Sequence, residues 1–131
     1  MRRKALIFFA LGTIFLFGSC SSTPEKIVMT VTGPIKASRM GTTLSHEHVL
    51  VDFIGADSTG YHRWDRDQVV DRVTPYLQEL NKWKVHTLIE CTPAYVGRDP
   101  WILRSLARKT GMHLVTNTGY YGARDNVFLP Q

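Results

Sequence analysis

The sequence lacks an apolar run long enough to cross a bilayer comfortably. Its N-terminal run, residues 5–17, is shorter than the roughly 20 apolar residues that a membrane-spanning helix needs. Residues 2–4 are basic and precede this run, and the small residues Gly18 and Ser19 follow it. A basic start, a short apolar centre and small residues at the end form the three-part plan of a secretion signal. We therefore predict that residues 1–19 are a signal peptide.

Cysteine is also scarce, with Cys20 and Cys91 the two in 131 residues. The segment "LFGSC", residues 16–20, resembles a bacterial lipoprotein signal, in which the cysteine receives lipid and becomes the first residue of the mature protein. Ordinary cleavage, which would leave Cys20 as a plain thiol, is the alternative. Lipidation would make residues 20–26 a polar tether. It would hold the exported protein to a membrane of the bacterial cell envelope, at its periplasmic or outer-membrane face. With Cys20 lipidated, no internal disulfide is possible. Cys91 is then most simply a small buried strand residue.

There is little excess of basic charge outside the predicted signal. The formal net charge of +5 falls to +2 when residues 1–19, with three positive charges, are removed. No cluster that resembles a phosphate-binding patch remains, so we predict no nucleic-acid partner. The composition, 44% hydrophobic and 21% charged, is that of a folded globular protein, and the length allows one domain at most.

The rest of the sequence alternates between strand patterns and helix patterns. Gly33 and Pro34 mark a turn that predicts a leading β-hairpin. Strand patterns then occur at residues 43–51, 85–92 and 112–119, and helix patterns at residues 67–84 and 100–110. Strand, helix, strand, helix, strand is the signature of an α/β fold with a parallel sheet and right-handed crossovers.

The ends of the two helices differ in how clearly the sequence marks them. Pro75 falls within the first helix and is expected to kink it or to split off its first turns. The second helix is better defined, because Asp99 can act as its N-cap, Pro100 suits its first position and Gly111 can adopt the left-handed conformation at its end.

Two histidines, His46 and His48, lie one residue apart in residues 43–51, a segment too apolar for a surface strand. Because side chains alternate along a strand, both imidazoles should point one way and Glu47 the other. Two imidazoles at this spacing can converge on one divalent ion such as zinc. A hydrogen-bonded pair of core histidines is the alternative, and spacing alone does not separate the two. A catalytic zinc also needs a third protein ligand from elsewhere.

Five short motifs follow one another: "VTGPI", "GTTLSHEHVLVDF", "TLIECTP", "GRDP" and "TGMHLVTNTGYYG". In this order and at these intervals they resemble the N-terminal part of the phosphotriesterase family, within the amidohydrolase superfamily, over about residues 27–124. The resemblance implies an eight-stranded (β/α) barrel with a two-metal site at the C-terminal ends of its strands. Residues 27–131 would then form a partial barrel domain of about three βα units after the leading hairpin.

The resemblance also implies roles for particular residues. His46 and His48 would bind the more buried of two divalent metal ions, expected to be zinc. Tyr121 would line the substrate pocket, with a barrel-rim aromatic without ligand contact as the alternative. Glu90 would be a hydrogen-bonding or structural carboxylate behind the metal site rather than a catalyst. No catalytic residue is identifiable in this chain.

The activity implied is hydrolysis of a small ester, lactone or phosphotriester by a metal-activated water. These residues do not distinguish among the three substrate classes. For the intact protein, the resemblance is compatible with a homodimer.

The chain is short for this fold, since a complete barrel takes roughly 250 residues. The further ligands that the resemblance implies, a lysine or glutamate, two histidines and an aspartate, have no counterpart after Gly122. We therefore expect the N-terminal part of a longer exported enzyme, inactive by itself. The alternative is a non-catalytic, truncated envelope lipoprotein or gene remnant.

Overall fold

The computed structural model describes residues 24–131, so the predicted signal peptide, Cys20 and most of the tether lie outside the described residues. The elements are β1 (Ile27–Thr30), β2 (Gly33–Lys36), β3 (Thr42–Glu47), α1 (Arg66–Lys82), β4 (Val85–Glu90), α2 (Pro100–Thr110) and β5 (His113–Thr116). Short 3-10 helices lie at Ala37–Arg39 and Tyr61–Arg63. Within this described part, neither α-helix has both the length and the apolar character that crossing a membrane requires.

The strands form two separate sheets. β1 and β2 pair as the predicted antiparallel hairpin. β3, β4 and β5 form a parallel sheet with β4 in the centre, which confirms the predicted α/β class. The hairpin is joined to this sheet by a backbone hydrogen bond of 2.9 Å from Val31 N–H to the carbonyl oxygen of Leu114.

Both helices pack against each other and against one face of the parallel sheet, as crossover helices do. The buried core between them consists of Val70, Leu77, Val85, Leu88, Ile102, Leu103, Leu106, Ala107, Met112 and Leu114. The predicted ends of α2 are confirmed: Asp99 caps its start, and Gly111 ends it with a φ of 75°.

Of the two effects predicted for Pro75, splitting of the first helix is wrong, because α1 runs through Pro75 as one helix, and a kink stays a prediction. Pro75 lacks the N–H that would bond the carbonyl of Asp71, but both residues are exposed, so water can satisfy that carbonyl. At the same turn the Thr74 hydroxyl donates to the carbonyl oxygen of Val70 at 2.6 Å. Val70 and Leu77, before and after the proline, are both buried in the core and hold the helix in place.

The prediction that residues 43–51 form a strand too apolar for the surface is also wrong in part. The strand ends at Glu47, and none of its residues is fully buried. β3 pairs with β4 on one side and is an edge strand in the described residues. Leu44 packs against the core, whereas Ser45 and His46 are exposed.

Asp99 connects the beginnings of the two helices. Its side chain is buried, with 3% exposure. One carboxylate oxygen accepts the backbone N–H groups of Trp101 at 3.0 Å and Ile102 at 3.4 Å, which caps α2. The other accepts the Trp64 indole N–H at 3.1 Å and the Arg66 Nε–H at 2.8 Å. One carboxylate thus fixes the segment that enters α1 against the start of α2.

Replacing this carboxylate should be costly. Asp99→Ala is expected to lower the free energy of unfolding by about 3 kcal/mol, because it removes a cap and leaves a partly buried indole N–H and a guanidinium without their acceptor. Asp65→Ala is the matched control: it removes an exposed carboxylate that caps α1 through the Gln68 N–H, and should cost about 1 kcal/mol. Urea unfolding measures both, and equal losses would contradict the connecting role of Asp99.

Candidate functional site

A cavity of about 470 Å³ opens at the carboxyl ends of the three parallel strands. Its lining residues come from the segments that follow β3, β4 and β5: His46, His48, Val51, Phe53, Cys91, Pro93, Val96, Asn117, Gly119, Tyr120 and Tyr121. We call this cavity the histidine pocket. Parallel pairing explains its composition, because the carboxyl ends of parallel strands meet at one edge of the sheet.

A bulge in β3 turns the two histidines into the histidine pocket. Between its pairings at Leu44 and Glu47, β3 contains one residue more than the facing segment of β4. In a regular strand His46 would share a face with Leu44, which packs against the core. The extra residue reverses this alternation, as bulges do, so His46 and His48 both face the pocket.

His46 and His48 suit a divalent metal ion as a pair of ligands, but they do not complete a site. Their ring centroids are 5.3 Å apart, the rings meet edge to face, and both residues are exposed. Neutral imidazole is a good ligand for zinc. Across residues 24–131, however, no group of three or more His, Cys, Asp or Glu side chains is placed to hold an ion. The metal role of the two histidines stays a prediction.

Glu90 lies behind the histidine pocket rather than in it. The residue is 1% exposed, and its Oε1 atom accepts the backbone N–H of Val49 at 3.3 Å and the hydroxyl of Thr92. Its Oε2 atom has no hydrogen-bond partner within the described residues. Burial raises the pKa of Glu90, although these hydrogen bonds and the nearby His48 act in the opposite direction. The position agrees with a structural carboxylate, and that role stays a prediction.

Thr92 connects Glu90 to the histidine pocket and was missed by the sequence analysis. The residue is fully buried. Its Oγ1 atom bonds Glu90 and lies 3.0 Å from Nδ1 of His48. Thr92 follows Glu90 by two residues, a spacing that puts two side chains on the same face of an extended chain. That spacing was the available signal, but it does not show which histidine the hydroxyl would reach.

Tyr121 lies on the wall of the histidine pocket as part of an aromatic cluster. Its ring centroid is 5.5 Å from that of the buried Phe128 and 6.2 Å from that of Phe53. The structure therefore brings Tyr121 to the same cavity as His46 and His48. Its contact with a substrate stays a prediction.

Cys91 is not the buried strand residue that the sequence predicted. It is partly exposed and lines the histidine pocket, directly after the end of β4. Its backbone N–H donates to the carbonyl oxygen of Glu47 at 2.8 Å, so its position is fixed by the backbone of β3.

Asn117 joins the segments that follow β4 and β5. Its Nδ2 donates to the carbonyl oxygen of Thr92 at 2.9 Å, and its Oδ1 accepts the backbone N–H of Gly119 at 2.9 Å. The backbone carbonyl of Asn117 accepts a 2.8 Å hydrogen bond from Nη1 of Arg98. Arg98 thus acts as a loop residue, and these bonds hold two sides of the histidine pocket together.

The raised pKa of Glu90 predicts a pH dependence of stability. A carboxyl with a higher pKa in the folded state than its ordinary 4.5 stabilises the fold below that value, and the contribution is lost as pH rises through the raised pKa. Glu90→Gln removes this loss, so urea unfolding should show the variant gaining stability relative to the wild type as pH rises from about 4 to about 8.

Glu79→Gln provides a control of opposite sign. A hydrogen bond from Lys82 lowers the pKa of the exposed Glu79, so its carboxylate form favours the folded state. This variant should lose stability relative to the wild type as pH rises toward about 4.5, with little further change at higher pH. Parallel curves for Glu90→Gln and the wild type would contradict the raised pKa.

Comparison with known proteins identifies relatives of this chain. The model of the phosphotriesterase family matches residues 26–131. The phosphotriesterase homology protein of Escherichia coli is 32% identical over 94 residues, which cover 70% of this chain and 29% of that protein. The N-acetyltaurine hydrolase of Salmo salar is 27% identical over 121 residues, covering 72% of this chain and 35% of that protein.

A solved structure shows the same fold. The organophosphorus hydrolase from Deinococcus radiodurans matches with a TM-score of 0.63 and 29% identity, covering 77% of this chain and 32% of that chain. This likeness confirms the predicted fold class, part of a (β/α)8 barrel. The chain spans about a third of the length of the curated relatives that it matches.

Proposed function

This chain belongs to the phosphotriesterase family. From that premise we propose that it is part of a metal-dependent hydrolase that cleaves a small ester, lactone or phosphotriester. One observation carries the proposal: the bulge in β3 turns His46 and His48 into a pocket at the carboxyl ends of the strands. In barrels of this type the active site lies at that end.

We propose zinc as the ion, with His46 and His48 among its ligands. A bound divalent ion of this kind lowers the pKa of a water molecule and polarises the C=O or P=O bond under attack. Because a catalytic zinc typically has three protein ligands, the proposed site needs donors from polypeptide beyond residues 24–131.

The walls of the histidine pocket support a small substrate with an apolar part. Val51, Phe53, Val96 and Tyr121 supply apolar and aromatic surface beside the two histidines. Such surface binds the organic groups of an ester and limits the access of water. Tyr121, held against the buried Phe128, is proposed as the aromatic contact.

Hydrolysis is tested with the protein purified from its own host, in the length that the host makes. We expect turnover of an aryl ester, a lactone or a phosphotriester that is abolished by a chelator and restored by Zn²⁺. N-acetyltaurine is included as an amide substrate. His46→Ala should lose this turnover, whereas His86→Ala, which removes an exposed histidine of β4, should retain it.

The same measurements on the 131-residue chain expressed alone provide a second test. It is expected to bind Zn²⁺ weakly and to show no turnover, because two imidazoles do not complete a catalytic zinc site. Turnover that persists in His46→Ala or in chelator would contradict the metal-dependent mechanism. No turnover by any form of the protein would favour the non-catalytic lipoprotein.

We also propose that the protein is exported and anchored to a membrane of the cell envelope by lipid on Cys20. The support is the sequence of residues 1–20, with its basic start, apolar centre and "LFGSC" end. A covalent lipid would hold the barrel domain near the membrane through the polar tether of residues 20–26.

Fatty-acid labelling in a bacterial host tests the anchor. The wild type should incorporate radiolabelled fatty acid, and Cys20→Ser should not. Cys91→Ser is the matched control, because it removes the second cysteine and should be labelled like the wild type. Equal labelling of Cys20→Ser and the wild type would refute the anchor.

A further inference from the structure

A partly buried chain of hydrogen bonds runs from Glu90 to His48. The backbone N–H of Val49 and the hydroxyl of Thr92 both donate to Oε1 of Glu90, and Oγ1 of Thr92 lies 3.0 Å from Nδ1 of His48. Thr92 has no exposed surface and Glu90 is 1% exposed, so bulk water cannot compete for the bond between these two side chains.

The direction of each hydrogen bond follows from the number of protons available. As a carboxylate, Glu90 carries no proton, and its Oε1 atom accepts both bonds. With Glu90 in this form, the single hydroxyl proton of Thr92 goes to Glu90. The bond between Thr92 and His48 must then be donated by Nδ1–H.

We propose that Thr92 is a positioning residue that fixes His48 in its Nδ1–H tautomer. The ring then presents the unprotonated Nε2, with its lone pair, to the histidine pocket. An imidazole that bonds a metal ion through one nitrogen commonly donates the other N–H to a fixed partner, which sets its orientation. The consequence for metal binding rests on the proposed function, whereas the tautomer does not.

The tautomer is measured by ¹⁵N NMR of the full chain, labelled at histidine and kept in detergent at a pH of about 8, where imidazoles are ordinarily neutral. The His48 signals are identified by their loss in His48→Gln. Wild type should show a protonated Nδ1 and an unprotonated Nε2. A wild-type ring protonated at Nε2 would overturn the proposal without the need for any variant.

Three variants separate positioning from folding. Thr92→Val removes the hydroxyl at nearly constant volume and should give a mixture of tautomers, while Thr92→Ser retains the hydroxyl and should restore Nδ1–H. Thr87→Val is the matched control: it removes another fully buried hydroxyl of the β4 segment, bonded to the carbonyl oxygen of Met40, and should leave the His48 signals unchanged. An unchanged tautomer in Thr92→Val would overturn the proposal.

Zinc affinity is the second readout, measured by calorimetric titration of Zn²⁺ into the same proteins. Thr92→Val should weaken Zn²⁺ binding by about tenfold or more relative to Thr92→Ser. His48→Gln should weaken it at least as much. A changed tautomer with unchanged Zn²⁺ affinity would uphold the positioning role of Thr92 and overturn the metal role of His48, so the two proposals can fail separately.

Discussion

The parallel pairing of β3, β4 and β5, with one extra residue in β3, is the constraint on which the candidate site depends. Pairing brings three strand ends to a common edge, and the bulge decides which residues face outward there. Without the extra residue, the alternation that turns Leu44 toward the core would also turn His46 toward the helices. One local departure from regular strand geometry therefore places both imidazoles in the histidine pocket.

Two buried carboxylates have different effects on the fold because their hydrogen-bond partners differ. Asp99 accepts four hydrogen bonds, which satisfy both oxygens and join the starts of α1 and α2. Glu90 has one oxygen without a partner in the described residues, and its burial disfavours the charged form. A buried carboxylate whose oxygens all accept hydrogen bonds stabilises a fold, whereas one that lacks some of these bonds lowers its stability. One hydroxyl group separates Glu90 from His48, so this destabilising carboxylate is connected to the candidate site.

The histidine pocket lies where a barrel of the phosphotriesterase family is expected to have its active site, but the described residues do not complete such a site. The cavity lies at the carboxyl ends of the strands, which is the end of a (β/α)8 barrel where active sites are found. The described residues supply two imidazoles and an aromatic wall at that edge. The proposed zinc site needs more donors than these two imidazoles, because a catalytic zinc typically has three protein ligands.

The sequence alone determined the elements whose signals are local. The hairpin turn, the capped ends of α2 and the parallel α/β class follow from residue types at fixed offsets, and the motif around His46 and His48 indicated the family. Tertiary structure decided the rest. Pro75 is tolerated in α1 because core packing on both sides outweighs one lost hydrogen bond, and Cys91 lies in the pocket because β4 ends just before it. The bulge and the contact between Thr92 and His48, 44 positions apart, depend on how two strands meet, and no local pattern encodes that.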